Sequence, residues 1–446
     1  MRLPAAQASR SETATYQALR EVPAKAGYGK GDVLVLFGEL FGRGYANGIV
    51  DEARQAGMTI VGATVGRREA DGSLRPLQAG ELAQAEASLG GRIVNVPLEA
   101  GFDLEPAGDG PSPVEQLKAA KPGGWQSISL DWGLVSQSRE AGARRFARNV
   151  EAFVAGLDPH VPEDANVLFV HTMAGGFPRA RVYMPLMSRM FRTAGDKFLS
   201  SREFWSCDLG RLWAASFDEV TGRTFERLLA ATASLRSRAK RVRYVAYGYH
   251  GCEVLIGGKY TWQTYVPYLQ GWAKMLLERI AREGWRDGVK CTVFNSPEIW
   301  TNSSSHFLGV EISIYPLLRA IRNEGAGTSA AEAMWDRCRA HLKDGASLEG
   351  ALARAEEFLA SPVMAPFRDI GQWPQHNGRD QAEAMLAASA DLFAMSADPK
   401  NPVCAELSRS VFQGVGRLMF DTSWDAPGPV LWLNHDVIAK RLGGEM

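Results

Sequence analysis

Short unbroken apolar runs alternate along the chain with longer stretches in which apolar residues recur every three or four positions. Residues 31–37 (GDVLVLF), 58–65, Asn166–His171 (NVLFVH), 244–247 and 288–294 are of the first kind, with a shorter run at 92–96. Runs without polar alternation suit parallel strands covered on both faces. Residues following Gly44 through about Gln55, and residues 79–89, 137–154, 219–239 and 267–283, carry the helical period. Strands alternating with helices predict an α/β fold: a Rossmann-type doubly wound parallel sheet with helical insertions. Segments 310–323, 330–342, 348–360, 381–394 and 403–415 are helical in pattern and are separated by Gly, Pro and Asp clusters. They predict a helical C-terminal cover without a repeat period. The expected organisation is an N-terminal arm over 1–27, frayed or docked, then a nucleotide-binding and catalytic domain over 28–322 with an insertion near 177–217. A helical extension over 323–446 packs on the same domain.

An apolar fraction of 46% with a formal net charge of zero excludes a disordered chain and gives no reason to expect a nucleic-acid partner. Cys207, Cys252, Cys291, Cys338 and Cys404 are far apart and form no CxxC pair, which fits a reducing compartment. No run approaches a membrane span, and residues 1–27 lack the continuous apolar region of a secretory signal. The expectation is a cytoplasmic protein with no integral membrane segment.

The first apolar run leads into Gly38, Glu39, Leu40, Phe41, Gly42, Arg43 and Gly44, and then into a helix. Glycines spaced this way between strand and helix bring backbone amides close to a pyrophosphate. Gly38, Leu40, Phe41, Gly42 and Gly44 are therefore candidate cofactor residues. The second run ends in Gly66, Arg67 and Arg68. An acid at that place accepts from the adenosine ribose hydroxyls, whereas guanidinium groups suit a 2′-phosphate. NADPH is favoured on this ground, with NADH possible; the alternative is that the arginines are solvated or pair with Glu69 or Asp71. Ala174 and Gly175, after the Asn166–His171 run, are small enough to admit a cofactor ring. Chain order puts Asn95 and Glu99 near the adenine. Thr301 and Ser303 belong to a hydroxyl cluster (TNSSS, 301–305) that either donates to pyrophosphate or carboxamide oxygens or caps a helix. Met184, Met187, Met190, Phe191, Phe198, Phe204, Trp205 and Trp213 are either core or the wall of an apolar pocket.

Residues 244–274 (YVAYGYHGCEVLIGGKYTWQTYVPYLQGWAK) pass from strand to helix at the edge where ligands lie in such sheets, and they are crowded with tyrosines. The glycine loop, the small-residue turn, the tyrosines and Lys274 together resemble the short-chain dehydrogenase/reductase superfamily. The usual tyrosine and lysine four apart are absent at Lys274; Tyr265 instead stands nine positions before it. That spacing resembles the V-type trans-2-enoyl-acyl-carrier-protein (enoyl-CoA) reductases. The segments Tyr247-Gly248-Tyr249-His250-Gly251 and Thr261-Trp262-x-x-Tyr265 are similar to parts of that branch. So is 301–305 with the helix around Tyr315-Pro316-Leu317-Leu318.

The resemblance implies NAD(P)H-dependent reduction of the 2,3 double bond of a trans-2-enoyl thioester on CoA or acyl-carrier protein, by a monomer or small homo-oligomer. It gives Tyr265 the charge developing on the thioester oxygen. Lys274 is expected to hold the nicotinamide ribose and lower the phenol's proton affinity, and Tyr249 to offer a second hydroxyl. Tyr268 competes with Tyr265, and helical geometry does not choose between them. His250 is either a turn hydrogen bonder or a participant. Arg67 and Arg68 stand where that branch commonly carries an acid and uses NADH. A reductase of a carbonyl or other activated alkene, or an inactive nucleotide-binding subunit, are the competing readings.

Overall fold

The computed structural model describes residues 16–42, 44–120, 125–174, 201–264, 269–301, 308–372 and 377–444. Its strands are β1 (Ala18–Leu19), β2 (Val33–Phe37), β3 (Thr59–Thr64), β4 (Arg67–Arg68), β5 (Leu74–Arg75), β6 (Arg92–Pro97), β7 (Asn166–His171), β8 (Arg241–Gly248), β9 (Cys252–Ile256), β10 (Lys259–Gln263), β11 (Cys291–Asn295) and β12 (Val430–Leu433). Eight of them form one sheet in the order β1-β12-β11-β8-β7-β2-β3-β6, every pair parallel. The chain runs outward from β2 to β3 and β6, then returns to β7 and continues the other way. The order therefore reverses between β2 and β7, and the crevice beyond their carboxyl ends is where a doubly wound sheet takes its ligand.

The unbroken apolar runs have a direct cause. All five residues of β2 are fully buried; Leu34 and Leu36 face one core while Val33, Val35 and Phe37 face the other. The second core lies under the helices Trp132–Leu157, Thr224–Ala231 and Leu269–Arg286, and the first under the C-terminal helices. The helix Ala46–Gln55 that follows the glycine loop crosses Val403–Trp424 so closely that backbones touch. A side chain at Gly48 would run into the Phe412 carbonyl, and one at Gly416 into the Gly48 backbone.

The C-terminal part is a helical cover, as expected, and it also returns β12 to the sheet. Residue 18 then pairs with 432, so the N-terminal arm docks as an edge strand. The sheet thus extends past both ends of the 28–322 span. The expected helix over 219–239 is broken: a π-helical turn, Asp218–Arg223, precedes Thr224–Ala231 and Ala233–Arg238. Residues 252–263 form a hairpin, β9 with β10, turning on Gly257 and Gly258 at φ 58° and 76°. Two glycines at positive φ are what a two-residue turn between antiparallel strands requires. Of the insertion near 177–217, Met184, Met187, Met190, Phe191 and Phe198 lie outside the described residues. Phe204 and Trp213 pack with Phe102, Leu117 and Phe217 in a small core of their own.

Candidate active site

Gly38 ends β2 at φ 141°, and a side chain there would strike the Thr172 hydroxyl; the Thr172 amide donates to the Phe37 carbonyl over 3.0 Å. The two ends of the crevice are thus in backbone contact, and only glycine fits. Gly38, Leu40 and Phe41 line a cleft of about 440 Å³ with Thr64, Arg67, Leu77, Glu81, Leu89 and Ile93. The space suits a nucleoside, and Phe41 is exposed at its mouth. Gly42 and Gly44 stand in the same loop, where a side chain at either would meet nothing within 4 Å. Ala174 is exposed beyond β7, and Thr301 is half-buried beyond β11. Gly175 and Ser303 lie outside the described residues.

Arg67 and Arg68 are not free guanidinium groups. Glu39 reaches from the glycine loop to the end of β3, where its Oε1 accepts from Thr64 Oγ1 at 2.6 Å, the Val65 amide at 3.1 Å and Arg67 at 2.9 Å. Arg68 binds Glu99 at 2.6 Å, the Gly72 carbonyl at 2.5 Å and Glu105 at 3.4 Å. An acid therefore does stand at the end of β3, where it lines this cleft. The sequence reading sought it on the second strand, whereas it comes from the loop after the first. Asn95 gives both ends of its amide to Leu77 and Glu99 pairs with Arg68, so neither lines the cleft.

On the other side of the crevice Lys274 is buried, 4% exposed, and its Nζ donates to the Tyr247 carbonyl at 2.7 Å. Burial brings its ammonium down to about 7. Tyr247 stacks on Tyr45 with ring centroids 5.4 Å apart; the Tyr45 hydroxyl donates to the Pro297 carbonyl, while the Tyr247 hydroxyl is buried without a partner among the described residues. Tyr249 follows on the same turn, half-buried against Cys252 and Val254. Lys274 thus meets the backbone carbonyl of Tyr247, two residues before Tyr249.

Tyr265 and Tyr268 lie outside the described residues, but the residue before Tyr265 is firmly held. The Thr264 amide donates to the Phe367 carbonyl at 2.8 Å, its carbonyl accepts from Gln263 Nε2 at 2.9 Å, and its hydroxyl accepts from Trp262 Nε1 at 3.0 Å. Beside Thr264, Glu298 is 2% exposed with Oε1 unpartnered among the described residues. Burial, reinforced by Glu311, raises its carboxyl well above the ordinary range. Sequence reading missed Glu39, Glu278, Asn295 and Glu298. Glu278 had a signal, since it stands one helical turn after Lys274 on the same face.

The family model for the enoyl-acyl carrier protein reductase FabMG matches residues 15–442. The chain belongs to the FabMG family of enoyl-acyl carrier protein reductases. A FabMG solved in its apo form is 48% identical over 96% of this chain and 97% of its own, with a TM-score of 0.91. A second, solved with NADH bound, is 42% identical over 96% of this chain and 98% of its own, with a TM-score of 0.77. Among curated proteins none matches. The expectation of an enoyl-thioester reductase with a Rossmann-type sheet is borne out. The chain is an NAD(P)H-dependent oxidoreductase that reduces a trans-2-enoyl thioester. Among the described residues, no helix is long and apolar enough to cross a membrane.

Proposed function

We propose that this reductase uses NADH to reduce an enoyl group carried on acyl-carrier protein, with Tyr265 as the residue that meets the charge developing on the thioester oxygen. The observation that carries the reading is Lys274, a buried ammonium at the carboxyl edge of the sheet, tied to the turn that bears Tyr249. Backbone and side chains of Gly38, Leu40, Phe41, Gly42, Gly44, Glu39, Ala174, Gly175, Lys274, Thr301 and Ser303 would hold the cofactor, which when bound supplies the hydride for the β carbon.

The chain's own work is then electrostatic. Tyr265 donates its phenolic proton towards the thioester oxygen, an interaction that strengthens as charge appears there. Tyr249 offers a second hydroxyl to the same oxygen. Lys274, when charged, lowers the proton affinity of the phenol and makes it the better donor.

Glu39 argues for NADH over NADPH. Its carboxylate stands at the end of β3, where a 2′-phosphate would bring a second negative charge against it, and it already neutralises Arg67. The Arg68 guanidinium is bound by Glu99 and Glu105. The ground on which the arginines favoured NADPH is thereby removed. The NADH-bound FabMG supports the same reading. The test follows the absorbance of NADH and NADPH with crotonyl-CoA and crotonyl-acyl-carrier protein. Faster turnover with NADPH, or a lower KM for the CoA ester than for the carrier-protein ester, contradicts the proposal.

A further inference from the structure

Two sets of buried polar groups stand beside the site, and only one of them is satisfied within the chain. Glu278, 2% exposed, is bonded to His250 at 3.0 Å, Asn295 at 2.9 Å and Arg282 at 3.0 Å. By contrast Gln263 Oε1, Glu298 Oε1 and Ser313 Oγ have no hydrogen-bond partner among the described residues, although these residues are only 1%, 2% and 8% exposed. All three line one cavity of about 20 Å³. Buried polar atoms without partners are rare, and three around one space call for a common partner.

The cavity lies where three segments meet. Gln263 is the last residue of β10, Glu298 belongs to the loop after β11, and Ser313 sits in the single turn Ile312–Ile314. The Gln263 amide is fixed in orientation because its Nε2 donates to the Thr264 carbonyl at 2.9 Å, which leaves Oε1 as an acceptor only. Glu298 supplies a donor: burial and Glu311 raise its carboxyl well above the ordinary range and so favour the form that carries an O–H. The Ser313 hydroxyl gives or accepts as its partner requires. The rest of the wall is largely apolar, from Ile312, Phe358, Leu359, Met364 and Met385. None of the three unpartnered atoms reaches another within hydrogen-bond distance, so direct bonds do not close the set. The cavity has room for one water, which needs about 10–15 Å³ and two to four polar partners. A donor among the ligands suits water and not a metal cation.

We infer that Gln263, Glu298 and Ser313 bind one ordered water molecule, and that this water ties the end of β10 and the loop after β11 to the C-terminal cover. The water gives one hydrogen to Gln263 Oε1, accepts from the Glu298 carboxyl and exchanges a third bond with the Ser313 hydroxyl. Each buried polar atom is thereby satisfied. The tie adds to the backbone bond by which the Thr264 amide already meets the Phe367 carbonyl in the stretch Pro362–Arg368. The loop after β11 leaves the carboxyl edge of the sheet, the edge at which the crevice opens. The water site is therefore a joint between that edge and the helices that cover it.

The test is a crystal structure of the full-length chain at a resolution that places individual waters, repeated for Glu298→Gln and Glu298→Leu. A single peak is expected about 2.6–3.2 Å from Gln263 Oε1, a Glu298 oxygen and Ser313 Oγ. It stays in Glu298→Gln, whose amide also donates and accepts, and is gone in Glu298→Leu, whose side chain does neither. In solution, relaxation dispersion of water ¹⁷O counts one long-lived internal water fewer in Glu298→Leu alone. Hydrogen exchange reads the joint: the Thr264 amide exchanges about fivefold faster in Glu298→Leu and within about twofold of the parent rate in Glu298→Gln. Absence of the peak from the parent structure overturns the inference. So does a peak whose density changes when sodium is replaced by rubidium, the mark of a cation. A peak that survives in Glu298→Leu removes Glu298 from the site, and unchanged Thr264 exchange after loss of the water removes the joint; either result contradicts the inference. If Glu298→Leu does not fold, the parent structure and Ser313→Ala, which deletes a smaller ligand, decide the same question.

Discussion

Lys274 Nζ and the Tyr247 carbonyl, 2.7 Å apart, join the helix Leu269–Arg286 to the end of β8 inside the core. The amine titrates near 7 in the folded protein against an ordinary value of 10.5. Between those values the unfolded chain binds the extra proton, so this group makes stability rise with pH across that window. The full effect is up to roughly 5 kcal/mol. Lys274→Met abolishes this pH-dependent part, measured as the difference between the two proteins in urea unfolding at several pH values, and it lowers turnover. An identical pH dependence in both proteins refutes the assignment.

Glu39→Gln removes the negative charge that lines the cleft at the end of β3 while preserving its shape. The ratio of kcat/KM for NADPH to that for NADH is expected to rise about tenfold or more, equivalent to about 1.4 kcal/mol. Steady-state rates with each cofactor decide it. An unchanged ratio means that Glu39 serves only to hold Thr64, Val65 and Arg67.

Tyr265→Phe deletes the hydroxyl proposed to meet the enolate oxygen. Because that contact tightens only as charge develops, kcat falls by about 10²- to 10³-fold while KM changes little. If the loss appears instead in Tyr268→Phe, the roles of the two tyrosines exchange.

How far the sequence disclosed this molecule can be judged from particular residues. The strands Val33–Phe37 and Asn166–His171 were plain because both faces of each are covered, which leaves an unbroken apolar run. The β9–β10 hairpin is marked by Gly257-Gly258 between β-prone segments, but the helical period that follows up to and beyond Lys274 masks it, so that 244–274 has the pattern of a strand-to-helix connection. Glu39 was hidden for a different reason. Its carboxylate acts at the end of a strand other than the one it follows, and only the parallel pairing of β2 with β3 brings the two together. Likewise His250, Glu278 and Asn295 come from a turn, a helix and a strand end, so no spacing in the chain announces their bond.

Gly416→Ala tests the helix crossing beneath the nucleotide loop. The added methyl meets the Gly48 and Ile49 backbone, which cannot swing aside as a side chain would. Overpacking of this kind costs about 1–3 kcal/mol. Thermal unfolding should show a lower Tm, and an unchanged Tm contradicts the close crossing.

Glu298→Gln replaces a buried acid with a neutral group of the same shape. In the folded chain burial and Glu311 hold the Glu298 carboxyl well above its ordinary value of 4.5. Its contribution to stability is complete below that value and is lost as pH rises towards the folded titration point. The variant has no such loss. Its stability relative to the parent should therefore improve as pH rises above the ordinary carboxyl range, which chemical denaturation at a series of pH values would show.

Residues 18–19 and 430–433 are neighbours on one sheet edge, although nearly the whole chain lies between them. During synthesis β2, β3, β6, β7, β8 and β11 all leave the ribosome before β12 exists. Until β12 arrives, the outer side of β11 is a row of unpaired amides and carbonyls, open to the wrong neighbour. The nucleotide half can thus assemble early, while the protein is protected from self-association only when its last strand has emerged.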